Sequence, residues 1–146
     1  MLGTKVHEVM TNNPRCVTTE TPVSEAAQLM KSEDIGALPV LEGEQLTGMI
    51  TDRDIVIQVI AEGKDPRGMP VREVASRELV KVNVDQDLSS ALQLMASEQV
   101  RRIPVVDDDG RLVGILAQAD VAREAKEKAV GEMVQEISKS PAGPRL

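Results

Sequence analysis

The chain of 146 residues contains no Phe, Tyr or Trp. Its core must therefore be built from Val, Ile, Leu, Met and Ala, and any bound base would lie between aliphatic side chains, because no aromatic stacking platform exists. The one Cys, Cys16, excludes an internal disulfide and argues against a thiolate metal centre. His7 is the one imidazole, and neither residue has a partner near it in sequence. No apolar run approaches the roughly 18 residues of a membrane span. The first residues lack the basic and apolar regions of a secretion signal, so the expected location is cytoplasmic, with no membrane as partner. Positive charge is also scarce. Seventeen Lys and Arg stand against 24 Asp and Glu, a net charge of −7, whereas a general nucleic-acid binder needs a basic surface. Phosphate-binding glycine loops, dinucleotide fingerprints and zinc spacings are missing too. The chain is accordingly read as no enzyme, with no catalytic residue, no metal site and no required cofactor. Asp107-Asp108-Asp109 reads as a solvated hairpin loop, lacking the longer ligand spacing of a calcium loop.

What is present is an ordinary apolar content of 41%, written twice in the same order. Val6 to Glu44 aligns without gaps on Val71 to Asp109. One extra residue in the second hairpin loop then sets Gly48 against Gly114 and Asp54 against Asp120. Identical pairs include Gln28-Leu29-Met30 with Gln93-Leu94-Met95 and Pro39-Val40 with Pro104-Val105. A long period with two copies indicates a pseudo-symmetric pair, not a solenoid.

Each copy reads as turn, strand, helix, strand, strand, helix. Asn12-Asn13-Pro14 is a turn signal and Arg15 to Thr18 a short strand. Thr21 is the expected N-cap of a helix with Pro22 in its first turn. Val23, Ala26, Ala27 and Met30, like Leu88, Ala91, Leu92 and Met95, fall at helical spacing and give one buried face. The hairpins are Ala37 to Leu41 with Leu46 to Ile50, and Ile103 to Val106 with Leu112 to Leu116. A helix follows from Asp52 to about Glu62, with Gly63 as its C-terminal cap. The last helix starts near Gln118 and runs towards Lys139, with a break expected near Gly131. Residues 1–63 are thus the first repeat, 64–70 a connector, 71–124 the second repeat, and 125–146 a helical extension with a loose tail. One unit of this size is marginal alone, so the two are expected to share a core, sheet against sheet.

The segments Val9-Met10-Thr11, Ile35-Gly36-Ala37-Leu38-Pro39-Val40 and Gly48-Met49-Ile50-Thr51-Asp52-Arg53-Asp54, with Val100-Arg101-Arg102-Ile103-Pro104-Val105 and Gly114-Ile115 in the second copy, resemble the CBS domain, the cystathionine β-synthase-type repeat. The pair resembles a Bateman module over about residues 6 to 124. It looks most like small stand-alone bacterial pairs, including actinobacterial stress-response examples. The resemblance implies an α/β (α+β) fold of two β-α-β-β-α repeats packed through their sheets, with a C-terminal helix. It also implies a regulatory module that binds an adenine nucleotide (AMP, ADP or ATP type) or S-adenosylmethionine in clefts between the repeats, and that forms a homodimer acting on a regulated protein which the sequence does not name.

Carried over by residue, the first cleft would use Met49, Ile50, Thr51, Asp52, Arg53 and Asp54, facing Val80, Val100, Arg101 and Arg102. Asp54 suits the two ribose hydroxyls. Thr51, at a helix N-terminus, suits phosphate. The two arginines suit bidentate phosphate contact. Thr51-x-x-Asp54 equally resembles a capping box, and the arginines could instead pair with acids such as Glu98 or Asp107. The second cleft would use Ile115, Leu116, Ala117 and Asp120, facing Met10, Asn13, Arg15, Ile35, Gly36 and Ala37. There Ala117 replaces the hydroxyl and Gly36-Ala37 the paired arginines, so weaker binding is expected. The alternative is a dimerisation or interaction scaffold whose clefts are vestigial.

Overall fold

The computed structural model describes residues 3–139. Its strands are β1 (Thr11–Asn12), β2 (Val17–Thr18), β3 (Ala37–Glu42), β4 (Gln45–Thr51), β5 (Val82–Asn83), β6 (Arg102–Val106) and β7 (Leu112–Ala117). Its helices are α1 (Val23–Glu33), α2 (Asp52–Ile55, widening into a π-type turn over Val56–Ile60), α3 (Leu88–Glu98) and α4 (Gln118–Lys139). In each unit a short strand runs parallel to the first hairpin strand, Val17 opposite Val40 and Val82 opposite Val105, and the hairpin closes antiparallel. The α+β architecture and both hairpins are those read from the pattern.

The sheets are unequal. One has the order β2-β3-β4, the other β1-β7-β6-β5. The extra strand, β1, comes from the first unit and pairs with β7 of the second, Thr11 opposite Ile115. The first unit receives the reciprocal contact as a single bridge, in which Met49 and Ser76 exchange both backbone hydrogen bonds at 3.1 and 2.9 Å. Each unit's lead-in therefore docks on the other unit. Two glycines admit these segments. A Cβ on Gly48 would stand 2.5 Å from the Ser76 carbonyl oxygen, and one on Gly114 would stand 2.5 Å from Met10 Sδ and 2.9 Å from the Thr11 carbonyl oxygen.

Two cores form where one shared core was expected. Val17, Val23, Ala26, Met30, Leu38, Val40, Ile50, Ile55 and Val59 make the first, completed by Val71 and Val74 of the second lead-in. Val82, Leu88, Ala91, Met95, Ile103, Val105 and Leu116 make the second, completed by Val6. The exchange lets each marginal unit close around aliphatic residues it does not itself supply. No side-chain polar atom among the described residues is buried without a partner.

Local details follow from competing hydrogen bonds. Thr21 does not cap α1. Its Oγ1 accepts the Thr18 N–H at 3.0 Å, while the Val23 and Ser24 N–H groups donate to the carbonyls of Met69 and Pro66 at 2.8 and 3.1 Å. Helices α1 and α3 end alike, at Asp34 (φ 54°) and Gln99 (φ 55°), after which Ile35 and Val100 donate back to Met30 and Met95 at 3.0 Å. Gly63, at φ 70°, follows α2 as expected. Helix α4 is continuous through Gly131, which meets nothing within 4 Å, so its glycine costs only propensity and breaks nothing. The expected loose tail from Ser140 onward lies outside the described residues. No described helix is long and apolar enough to cross a membrane.

Candidate functional site

Two of the hollows between the units gather the residues of the strand-to-helix junctions. The larger, about 590 Å³, is lined by Met49, Thr51 and Asp52 from the β4–α2 junction, Gly36 and Ala37 ahead of and within β3, and Glu78, Val80, Gln99, Val100, Arg101, Arg102 and Pro104 from the second unit. The smaller, about 260 Å³, is lined by Ile115, Ala117 and Asp120 from the β7–α4 junction, by Thr11, Pro14, Arg15, Glu33, Ile35, Ala37 and Pro39 from the first unit, and by Arg102. Strand alternation explains the choice. Ile50, Leu38, Ile103 and Leu116 point into the cores, so Met49, Thr51, Ala37, Arg102, Pro104, Ile115 and Ala117 face the clefts.

The first cleft brings together Met49, Thr51, Asp52, Val80, Val100, Arg101 and Arg102. Ile50, fully buried, belongs to the core instead. Arg53 is exposed and lies outside the lining. Asp54 is also outside it, because it is held in a capping box. Its N–H donates to Thr51 Oγ1 at 3.1 Å and its Oδ2 accepts the Thr51 N–H at 3.0 Å. The start of α2 is closed on itself. The Asp52 N–H donates to the Gly36 carbonyl at 2.9 Å and the Arg53 N–H to Asp52 Oδ1 at 2.8 Å. Thus the N–H groups expected to face phosphate are already occupied. The charge available in this cleft is carried by Arg101 and Arg102, which form no ion pair among the described residues, set beside the carboxylates of Asp52 and Glu78.

The second cleft differs at the same positions. Ala117 offers no hydroxyl, so Asp120 has no capping box and turns into the hollow. It accepts from Arg123 Nη2 at 2.6 Å and from Thr11 Oγ1 at 3.3 Å. Arg15 Nε lies 3.5 Å from Glu33 Oε1. Of the residues expected here, Arg15, Ile35, Ala37, Ile115, Ala117 and Asp120 converge. Met10 packs on the second core beneath Gly114, Asn13 sits in a turn at φ 50°, Leu116 is core, and Gly36 belongs to the larger hollow. Glu78, Gln99 and Pro104 in the larger cleft, and Thr11, Pro14, Glu33 and Pro39 in the smaller, were not anticipated. Pro104 was legible as the repeat counterpart of Pro39, two residues beyond Arg102 on the same face.

Cys16 is half-buried, and burial pushes its thiol pKa up, against a smaller opposing effect of Arg15. The thiol is therefore neutral near pH 7, unlike an activated nucleophile. Among the described residues no three metal-ligating side chains converge.

Two α+β units that exchange lead-in segments and leave clefts between them define a paired-repeat module. The chain belongs to the CBS domain family, whose model matches residues 6–60 and 71–127. CBS domain-containing protein YhcV of Bacillus subtilis is 42% identical over 134 residues, covering 91% of this chain and 94% of the relative. Hypoxic response protein 1 of Mycobacterium tuberculosis is 38% identical over 135 residues, covering 92% and 94%. The crystal structure of Hypoxic Response Protein I with two coordinated zinc ions has a TM-score of 0.76 at 40% identity, covering 82% of this chain and 98% of that one. The structure of CBSX2 in complex with AMP has a TM-score of 0.77 at 28% identity, covering 87% and 99%. The fold, family and general regulatory-module class are thereby established.

Proposed function

We propose that this protein is a sensor that binds an adenine nucleotide in the larger cleft, at the seam of the two repeats. The observation that carries this reading is the pair Arg101 and Arg102, without ion-pair partners among the described residues, in the lining of a hollow of about 590 Å³. That volume lies in the range of small-molecule sites. The aliphatic walls of Met49, Val80, Val100 and Pro104 suit a base, the guanidinium groups suit phosphate, and Asp52 replaces Asp54 as the carboxylate facing the ribose hydroxyls. Ligand that contacts both units favours one angle between them, and so changes whatever surface a regulated protein reads. The bound AMP of CBSX2 supports the ligand class, and the zinc ions of Hypoxic Response Protein I belong to that structure. The relationship to a hypoxic-response protein supports a stress role, and no described helix is long and apolar enough to cross a membrane.

Isothermal titration calorimetry of AMP, ADP, ATP and S-adenosylmethionine tests the reading, since the chain has no fluorescent Trp or Tyr. Saturable binding is expected, weakened about tenfold by Arg101→Ala. Silence with all four ligands would end it. Asp54→Ala is the poorer probe, because it removes a helix cap.

A second reading, an interaction scaffold, is favoured by exposed apolar side chains. Val56, Ile57 and Ile60 on α2 are 51–57% exposed, and Val130, Met133, Val134 and Ile137 on α4 are 42–57% exposed. These surfaces support a homodimer under either reading. Sedimentation should show a dimer that Met133→Glu converts to monomer. A scaffold would do this while remaining silent in the calorimeter.

A further inference from the structure

The two clefts are not separate. Arg102 lines both, and so does Ala37, its counterpart in the repeat. At this pair of positions the seam therefore carries one cation where an exact duplication would carry two. The Arg102 backbone is fixed as the first residue of β6, opposite Ala117. Its side chain is half-buried and has no ion pair among the described residues. On one side of it stand Met49, Thr51 and Asp52, and on the other Ile115, Ala117 and Asp120.

We propose that the clefts compete for the Arg102 guanidinium, so that a phosphate-bearing ligand in the larger cleft weakens anion binding in the smaller one. This rests on the nucleotide reading above. A planar guanidinium that grips one phosphate through two parallel N–H bonds cannot grip a second one elsewhere. The larger cleft has Arg101 as well, so it fills first. Among the described residues the smaller cleft has no other free cation, because Arg15 faces Glu33 at 3.5 Å, while Asp120 is held by Arg123 from outside the lining. Once Arg102 is withdrawn, the smaller cleft presents two carboxylates and one paired arginine to an anion. An uncharged nucleoside does not need the guanidinium and escapes the competition. The module therefore distinguishes ligands by phosphate: a nucleotide occupies one cleft at concentrations where a nucleoside is free to occupy both.

The test is calorimetry of ATP and adenosine with wild type, Arg102→Ala and Ala37→Arg. In wild type, ATP should bind in two events whose affinities differ by at least about tenfold. Arg102→Ala should weaken the first event and bring the two together. Ala37→Arg, which supplies the missing cation at a position lining both clefts, should strengthen the second event more than the first and so narrow the gap between them. Adenosine should show no change in the separation of its events across the three proteins. An unchanged gap between the two ATP events in both variants, or equal and independent ATP sites in wild type, would overturn the proposal. If no nucleotide binds at all, the nucleotide reading fails by itself, and inorganic pyrophosphate then tests the sharing. Phosphorus NMR titration should give one tightly held pyrophosphate per wild-type chain and two with Ala37→Arg. Equal stoichiometry in the two proteins would exclude a shared arginine.

Discussion

The two helix entries, Thr51 to Asp54 and Ala117 to Asp120, occupy the same place in the repeat and behave as opposites. In the first, a threonine hydroxyl and a carboxylate cap one another, and the aspartate is removed from the cleft. In the second, loss of the hydroxyl releases the aspartate into the cleft, where Arg123 takes it. A single side-chain oxygen thus decides whether the acid serves the backbone or faces the hollow. The entry with the more complete motif is the one that keeps its aspartate from a ligand. The cleft above it must rely on residues brought from the other repeat.

That contrast is one of site chemistry and not of core energetics, and the largest test addresses the second half of the statement. Leu38 and Ile103 are repeat counterparts, both fully buried. Leu38→Ala and Ile103→Ala should each cost about 3 kcal/mol in urea unfolding, with a single transition because the lead-ins are exchanged. Two separate transitions, or losses differing by more than about 1.5 kcal/mol, would mean that the repeats are energetically unequal as well. Next come the glycines. Gly48→Ala drives a methyl to 2.5 Å from a backbone carbonyl, while Gly114→Ala meets the Met10 side chain at 2.5 Å and a backbone carbonyl less closely, at 2.9 Å. About 2–3 kcal/mol is expected for the first and about 1–2 kcal/mol for the second. The reverse order would show that Met10 is the more rigid neighbour.

The caps come third. Thr51→Ala should lose about 1 kcal/mol and Ala117→Thr should gain about 0.5 kcal/mol. The second change should also draw Asp120 into a new box, visible as a shift of its carboxyl carbon in NMR. A destabilised Ala117→Thr would show that the grip of Arg123 and Thr11 on Asp120 outweighs a cap. The smallest effect is that of Arg123→Ala. The pair is surface-exposed on the arginine side, so thermal stability should change by no more than about 0.5 kcal/mol.

The sequence carried the repeat, the hairpins and the buried helix faces, because apolar spacing is set locally. It also carried seven of the residues that line the larger cleft. The exchange of lead-ins left no local signal. Thr11 pairs with Ile115 for reasons that only tertiary packing supplies. For the same reason Thr21 looked like a cap, when carbonyls of Pro66 and Met69 had already filled that role. The capping-box and ligand readings of Asp54 were both visible, and no spacing could choose between them. Its bond geometry favours the cap. Strand alternation, applied strictly, would have moved Ile50 and Leu116 to the core and added Pro104 to the cleft. The i, i+3 spacing of Asp120 and Arg123 was also legible as a pair.

The crossed lead-ins also set an order of events at the ribosome. Val6 and β1 are made early, yet the core that Val6 enters and the edge that β1 joins are completed only by β7, about a hundred residues later. The first repeat, meanwhile, waits for Val71 and Val74 to close its own core. The first core can close once Val74 is made, but the first lead-in cannot dock until β7 leaves the exit tunnel, so maturation should be a late event. The nascent N-terminal half, with its lead-in docked nowhere, is the species most exposed to proteases and chaperones.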